Sequence, residues 1–278
     1  MSRIFLCERR PTNSSPFEMP DVSFAKLSQS FVYETMIAGR DQQEHSLTIE
    51  VACGEAEWAA ARSLLNKRYA WRGYGDAHNI PLTPTHSTFT ASIDGALVGT
   101  LTLGVDSPAG LEIDETFRNE LNTYRRVPGA KLCELTKFAF ETNVQSKAIL
   151  AAFFHFIFIY GECRYNCTNL FIEVHPRHRR FYEAMLGFNR VGGLKENADV
   201  KAPSQLMQLE VAQIRAHLED SSFSADGIGE RSLYPFFLSN GVENDIRQRM
   251  ELGGPKAAIV AHCVVPVTEQ SEPSSLAA

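Results

Sequence analysis

The chain has 278 residues, of which 44% are hydrophobic and 22% are charged, ordinary values for a globular protein with one sizeable core. A formal net charge of −6 argues against a nucleic-acid-binding protein, because such proteins usually carry a basic excess. Six cysteines without framework spacing are expected to be reduced thiols of a cytoplasmic protein. Cys163, Cys167 and His175 lack the spacing typical of a metal site, so we expect no metal.

The first half of the core shows alternating strand and helix patterns. The predicted elements are a strand at Leu47–Ala52, a helix at Glu55–Tyr69, strands at Thr88–Ile93 and Leu97–Val105, and a helix at Asp114–Arg125. Gly73 and Gly75 end the first helix, and Asp94-Gly95 is a typical two-residue hairpin turn.

The second half continues the alternation. Its predicted elements are a strand at Lys131–Glu141, a helix at Gln145–Tyr160, a buried strand at Leu170–Val174, a helix from Pro176 to about Met185, and strands near Phe188–Gly192 and Gln205–Val211. Strand–helix–strand–helix order around a hairpin predicts an α/β fold with a mixed sheet. The apolar run in the second helix contains His155 and is shorter than the roughly 20 residues that span a bilayer, so we expect a buried helix and no transmembrane segment.

We divide the chain into three parts. Residues 1–44 are expected to form a partly mobile N-terminal extension, and residues 45–220 the core. Residues 221–278 are a C-terminal extension, in which Ser232–Leu238 docks on the core and Asn244–Glu251 forms a short helix. A disordered tail is expected from about residue 268.

Several segments resemble a known family. Leu170–Phe188 combines a buried strand, a Pro-started helix and Leu-Gly-Phe, and it resembles the N-acetyltransferase (GNAT) superfamily. The segments at 106–111, 133–139 and 232–237 are similar to the bacterial N-acyl amino acid synthases and, more distantly, to the acyl-homoserine-lactone synthases. Lys137 stands where the lactone synthases have Arg, and Trp71 lies in a differently spaced segment from their early Trp.

The resemblance implies a GNAT-like mixed central sheet flanked by helices, in which two parallel strands splay apart and the donor's thioester arm pairs with the exposed edge. It implies transfer of a medium- or long-chain acyl group from acyl carrier protein, or acyl-CoA, to the amine of an amino acid. The alternatives are an acetyl- or acyl-CoA N-acetyltransferase, a lactone-type signal synthase, or a non-catalytic acyl-carrier or lipid-binding regulator. We expect no tightly bound cofactor, and membrane contact only peripherally through a lipid product.

Two charged residues in the strand at 131–141 are the first site candidates. Glu134 lies in an otherwise apolar strand, where an unpaired carboxylate is costly. It is therefore either paired with Lys137 or Lys131, or has a raised pKa suited to a general base. Lys137 is a candidate for holding the acceptor's carboxylate, or it is a solvated strand-edge lysine.

Further candidates surround these two. Arg177, Arg179 and Arg180 form a basic cluster that could dock an acidic carrier protein, or a solvated helix face. The segment 141–147 has no glycine for cradling a pyrophosphate, which favours the carrier protein over coenzyme A. The candidate contacts to acceptor and acyl chain are Arg72, Tyr74, Phe138, Phe153 and Phe156. The structural alternatives are a helix cap for Arg72 and Tyr74 and core packing for the phenylalanines. His155 is expected to be a core histidine.

Overall fold

A computed structural model of the chain describes residues 31–38, 43–142, 146–219, 231–252 and 259–261. Within these ranges nine strands form one sheet and six α-helices flank it. The strands are β1 (Val32–Ala38), β2 (Glu44–Val51), β3 (His86–Ile93), β4 (Ala96–Val105), β5 (Leu132–Phe140), β6 (Asn169–Val174), β7 (Asn189–Asn197), β8 (Ala202–Glu210) and β9 (Ile259–Ala261). The helices are α1 (Glu55–Trp71), α2 (Asp114–Arg125), α3 (Lys147–Tyr165), α4 (Arg179–Leu186), α5 (Val211–Glu219) and α6 (Asn240–Leu252), with 3₁₀ turns at Pro176–His178 and Tyr234–Phe236.

The sheet has the strand order β7-β8-β6-β5-β4-β3-β2-β1-β9. The β5–β6 and β1–β9 pairs are parallel and the remaining pairs are antiparallel, so the predicted mixed α/β sheet is confirmed. Asp94 and Gly95 both have positive φ, as the hairpin turn between β3 and β4 requires.

The parallel β5–β6 pair is broken after three residues. Its last pair joins Glu134 to Phe171, although β5 continues to Phe140 and β6 to Val174. Beyond Glu134 each strand keeps only its outer neighbour, β4 or β8. We call the opening between these two diverging strands the wedge.

A β-bulge lies in the part of β5 that borders the wedge. Thr100 of β4 is opposite Ala139 and Thr102 is opposite Thr136, so two residues of β5 face one residue of β4. Lys137 in this bulge has φ of 55°, a value that residues with a side chain seldom adopt. Bulges often lie next to active sites, because they redirect side chains and interrupt the ladder.

Two helix layers cover the sheet. α1 and α2 pack on one face through two small clusters that include Leu65 and Phe117. α3 packs on the other face in the main core. By length and composition α3 could span a membrane, but 67% of its most apolar window is buried inside the fold, as in a core helix. It runs to Tyr165, five residues further than predicted, and Asn166 ends it in the left-handed conformation.

The expectation that the cysteines are all reduced is wrong for Cys133 and Cys167, which form a disulfide. The two residues are 34 positions apart in sequence, with their Cα atoms separated by 6.2 Å. Cys133 lies on β5, and Cys167 lies in the loop that leads into β6. Their proximity comes from the pairing of these strands, which no local cysteine spacing reveals.

The terminal parts of the chain add to this core. β1 lies before residue 45 and pairs along its whole length with β2, although the sequence analysis predicted no strand there. In the C-terminal extension, Leu233 N donates to Met185 O at 3.0 Å, and the Tyr234 hydroxyl donates to Leu186 O at 2.7 Å. The helix predicted at Asn244–Glu251 is α6, and the tail expected from about residue 268 lies outside the described residues.

Candidate active site

Glu134 lies at the point where β5 and β6 diverge, and its side chain is fully buried. Its Oε1 accepts a hydrogen bond from the Glu112 amide at 2.8 Å, and its Oε2 accepts one from the Ile113 amide at 3.0 Å. These amides belong to the loop that begins α2. Neither of the predicted lysine pairs forms: Lys137 Nζ instead donates to Glu112 Oε2 at 2.8 Å, and Lys131 is exposed.

The environment of Glu134 shifts its protonation equilibrium. Burial raises the pKa of this carboxyl to about 7, although the two backbone hydrogen bonds act in the opposite direction. The second of the two predicted alternatives therefore describes Glu134. A carboxyl group with this pKa can both accept and release a proton near neutral pH.

The loop that holds Glu134 is itself fixed by an arginine. Arg125 Nε donates to Asp106 Oδ2 at 2.7 Å, and its Nη2 donates to Asp114 Oδ2 at 2.6 Å. Asp114 Oδ2 also accepts the Leu111 amide at 2.8 Å. Gly110 has φ of +85°, and a Cβ there would lie 2.6 Å from Asp114 Oδ2. The Asp106–Asp114 segment is thus a rigid support for Glu134.

His86 faces Glu134 across a narrow gap. Its Nδ1 lies 2.6 Å from the Thr83 hydroxyl, and its Nε2 lies 4.0 Å from Glu134 Oε1. This Nε2 is buried and has no hydrogen-bond partner within the described part of the chain. A Cβ on Gly104 would lie 2.8 Å from Glu134 Oε1 and 3.1 Å from His86 Nε2. Only glycine therefore fits between the two, and a glycine within the apolar β4 was the one sequence signal for this contact.

The predicted acceptor contacts and one predicted docking residue come together beside the wedge. We call this group the aromatic–arginine cluster, and its members are Tyr69, Arg72, Tyr74, Arg177, His178 and Tyr182. Arg177 Nη2 donates to the Tyr74 hydroxyl at 3.0 Å, and its Nε lies 3.1 Å from His178 Nε2. These bonds join the end of α1 to the turn that follows β6.

The titratable members of this cluster are shifted toward their neutral forms. Burial, followed by the charge of Arg177, lowers the pKa of His178 to about 4. Burial raises the pKa of Tyr182 to about 12, with Arg72 acting in the opposite direction. At neutral pH the cluster therefore presents a protonated phenol and a neutral imidazole. The sequence analysis did not select Tyr69, His178 or Tyr182 as site residues.

The other predicted docking arginines are the first two residues of α4, directly after this turn. Arg179 is half-buried and its Nε donates to Pro176 O at 3.1 Å, whereas Arg180 is exposed.

The predicted acyl-chain contacts fall into two places. Phe138 is half-buried in the bulge of β5, and its ring centroid lies 5.4 Å from that of Phe154 on α3. Phe153 packs on Phe140 at 5.7 Å, and Phe156 packs on Phe89 at 6.1 Å. Phe153 and Phe156 are fully buried in the core, so Phe138 is the predicted contact that borders the wedge.

Comparisons with known proteins give this geometry a family. The sequence-family model described as N-acyl amino acid synthase FeeM matches residues 60–210 of this chain. The solved structure of FeeM, from uncultured soil microbes, has 26% identity and a TM-score of 0.54, and the match covers 61% of this chain and 93% of that chain.

Two weaker matches have TM-scores of 0.40. An N-acetyltransferase from Staphylococcus aureus Mu50 has 14% identity, with 60% of this chain and 98% of that chain covered. The acyl-homoserine-lactone synthase LasI has 13% identity, with 66% and 91% covered. No curated protein matches. The matched model spans more than half of the 278 residues, and the GNAT-like fold expected from the sequence is confirmed. The chain belongs to the family of the N-acyl amino acid synthase FeeM, and it is an acyltransferase.

Proposed function

We propose that this chain transfers a medium- or long-chain fatty acyl group from the phosphopantetheine thioester of an acyl carrier protein, or from acyl-CoA, to the amine of an amino acid. One observation carries the proposal. A buried glutamate with a pKa near 7 lies at the apex of a wedge between two strands with unpaired edges.

The wedge suits the amide-containing arm of a thioester donor. Unpaired strand edges bind extended ligands through backbone hydrogen bonds. Past Glu134, the β6-facing edge of β5 has no ladder partner among the described residues, and the bulge at Lys137 adds a further interruption. A pantetheine arm lying along this edge brings its thioester toward the bulge and Glu134.

Acyl transfer to an amine requires proton transfers at both the nitrogen and the sulfur. Glu134 removes a proton from the acceptor's ammonium. Because the carboxyl group of Glu134 is fully buried, this transfer is either direct or passes through one water molecule. The amine nitrogen then attacks the thioester carbonyl, a C–N bond forms, and the C–S bond breaks. As the C–S bond breaks, the Tyr182 hydroxyl, which its raised pKa keeps protonated until this step, donates its proton to the departing thiolate. The Tyr182 phenolate then takes the second proton from the nitrogen of the new C–N bond, which restores the phenol and leaves a neutral amide.

The remaining sequence candidates have supporting roles in this proposal. Arg72 and Tyr74 border the acceptor, and Lys137, held by Glu112, is close to the acceptor's carboxylate. Phe138, whose ring packs on Phe154 of α3, contacts the acyl chain beside the wedge. Phe153 and Phe156 remain predicted chain contacts, although their packing in the core makes Phe138 the better first test.

In this proposal the carrier protein docks at the turn after β6 and the first residues of α4. Arg177 and Arg179 are tied to Tyr74 and Pro176, so Arg180 is the most available of the three for an acidic partner. We place the reaction in the cytoplasm, with peripheral membrane contact through the lipid product. The Cys133–Cys167 bond weighs against that compartment, because structural disulfides are rare there.

The test uses the purified full-length chain with a mixture of the common amino acids. Parallel reactions receive long-chain acyl carrier protein, long-chain acyl-CoA or acetyl-CoA, and products are identified by mass spectrometry. We expect N-acyl amino acids from a long-chain donor, with the carrier-bound form used most efficiently. N-acetylated products alone would identify an acetyltransferase. Failure with all three donors would contradict the proposal.

A further inference from the structure

Arg68 is buried on the sheet-facing side of α1, where no described residue forms a hydrogen bond with its guanidinium. Its side chain is 6% exposed, and it shares this side of the helix with Ala61, Leu64 and Leu65. Its Nε and Nη2 atoms are shielded from solvent, and neither has a partner within the residues that the structure describes. One helical turn later, the Nε of Arg72 is likewise shielded from solvent and has no hydrogen-bond partner among the described residues.

Two other partly buried arginines in the described part of the chain are paired with carboxylates. Arg125 donates to both Asp106 and Asp114, and Arg215 donates to both Glu162 and Glu243. A buried guanidinium without an anion is costly, because the charge loses its hydration and gains little in return. The Arg68 guanidinium does lie 4.9 Å from the centre of the Trp71 ring, but that contact uses no N–H group.

Nearby carboxylates are already engaged with lysines. Lys67 donates to Glu141 at 2.6 Å, and Lys137 donates to Glu112 at 2.8 Å. Burial lowers the pKa of Arg72, Tyr69 acts in the opposite direction, and the neighbouring charge of Arg68 lowers this pKa further. Two neighbouring cations with shielded N–H groups form a site that is complementary to an anion.

The location of this pair points to a substrate anion. α1 packs on the half of β5 that borders the wedge, where Ala139 joins the cluster of Leu64 and Leu65. Arg72 is itself a member of the aromatic–arginine cluster, and its charge acts on Tyr182 of α4. Arg68 and Arg72 therefore lie at the C-terminal end of α1, between the part of β5 that borders the wedge and Tyr182 of α4.

We propose that Arg68 and Arg72 together bind an oxyanion carried by a substrate, either the carboxylate of the amino acid acceptor or the phosphate of the donor's phosphopantetheine. The planar guanidinium matches both groups, since two parallel N–H donors can engage two oxygens. This inference deepens the proposed function, which supplies the two substrates.

Anion binding can be tested without turnover. The melting temperature of the full-length chain is measured in sodium phosphate, sodium acetate or sodium chloride at one ionic strength. A bound oxyanion at about ten times its Kd should raise the melting temperature by about 2–4 °C over chloride. Arg68→Gln should abolish this rise and Arg68→Lys should reduce it, whereas Arg62→Gln, at an exposed arginine on the same helix, should retain it. A rise of equal size in wild type and Arg68→Gln would overturn the proposal.

Kinetics then identify which substrate carries the anion. Each acceptor amino acid is compared with its uncharged primary amide, and acyl-phosphopantetheine is compared with acyl-pantetheine. Arg68→Gln should raise KM about tenfold or more for the substrate whose oxyanion it binds, and leave the matching neutral analogue unchanged. Equal effects on both members of both pairs would contradict oxyanion binding. If no donor supports transfer at all, the proposed function fails, and the melting experiment still decides whether the anion site exists.

Discussion

Glu134 and Glu243 are two buried glutamates in opposite electrostatic surroundings. Glu134, at the wedge, accepts hydrogen bonds from two neutral backbone amides, and burial raises its pKa to about 7. Glu243, on α6, meets Arg215, Arg247 and the ring of His155, whose Nε2 lies 3.2 Å away. Burial acts to raise the pKa of Glu243 as well, but hydrogen bonds from His155 and Arg215 outweigh it and the pKa is lowered.

The difference shows what a charged partner does to a buried acid. Glu243 is held in its ionised form, and together with Glu162 it ties α3, α5 and α6 through two arginines. Such a carboxylate stabilises packing and is poorly suited to proton transfer. No lysine or arginine in the described ranges is in hydrogen-bonding contact with Glu134, so its protonation state can change during a reaction.

The largest expected effect separates these two roles. Glu134→Gln should lower kcat by about 10²–10⁴-fold, the usual contribution of a general base. Glu243→Gln, the matched control, should retain kcat in whatever fraction stays folded. Both are measured with saturating acceptor and donor.

Folding must be checked in the same samples, because a glutamine at 134 offers one acceptor where the loop supplies two amide donors. Melting curves therefore accompany the kinetics. Near-normal turnover by Glu134→Gln would make Glu134 a structural support of the α2 loop.

The pH dependence of kcat/KM sharpens the assignment. Glu134 must be deprotonated to act as a base, so kcat/KM should rise with pH and show an inflection near pH 7. Below the pKa the expected slope is about tenfold per pH unit. The acceptor's amine also titrates, but at higher pH. The inflection near 7 should disappear in Glu134→Gln, and its persistence would assign it to another group.

The contributions of Glu243 and Glu134 to the free energy of unfolding should change in opposite directions as the pH rises. Glu243→Gln should cost about 1–3 kcal/mol of unfolding free energy at pH 7, because two arginines lose a charged acceptor. Its folded-state pKa is lowered, so this contribution is present above pH 4.5 and is lost as the pH falls. Urea unfolding measures it, with the exposed Glu251→Gln on the same helix as control.

Glu134 follows the reverse rule. Its folded-state pKa is raised, so the protonated acid is the more stable form in the folded chain. Stability should therefore fall as pH rises from 4.5 to 7, and this fall should be absent in Glu134→Gln. A wild-type chain whose stability rises through that interval, by more than the variant's, would contradict the raised pKa.

The smallest expected effect concerns Arg180, an exposed arginine that contacts neither Glu134 nor Glu243. Arg180→Glu should slow transfer from acyl carrier protein severalfold at low salt, and the wild-type rate itself should fall as salt screens the attraction. A synthetic acyl-pantetheine donor should be indifferent to this change. Equal losses with both donors would place Arg180 outside a docking surface.

Local patterns predicted the parts of this molecule that depend on neighbouring residues. The helix at Asp114–Arg125 and the Asp94-Gly95 turn are confirmed at the predicted positions, because amphipathic spacing and turn chemistry act over a few residues. Glu134 was selected because a carboxylate in an apolar strand is conspicuous in any sequence. Its role as a base stays a prediction.

What the sequence did not reveal depends on contacts between distant segments. The Cys133–Cys167 bond and the Lys137–Glu112 pair join residues that only the folded sheet brings together. Arg68 resembled any arginine of an amphipathic helix, since its lack of a partner is a property of the surrounding packing. Strand β1, which lies between β2 and β9, was missed because it lies outside the segments that resembled the family.

The contact between the C-terminal extension and α4 has a practical consequence for shortened versions of this protein. The family match stops at residue 210, yet Leu233 and Tyr234 supply the hydrogen bonds to the carbonyl groups of Met185 and Leu186. Cutting the chain at the edge of the matched region would leave those carbonyls without these donors and remove α6 from Glu162. Fragments prepared for expression or crystallisation should therefore extend to at least Leu252, and the limits of the family match are a poor guide to where this polypeptide can be shortened.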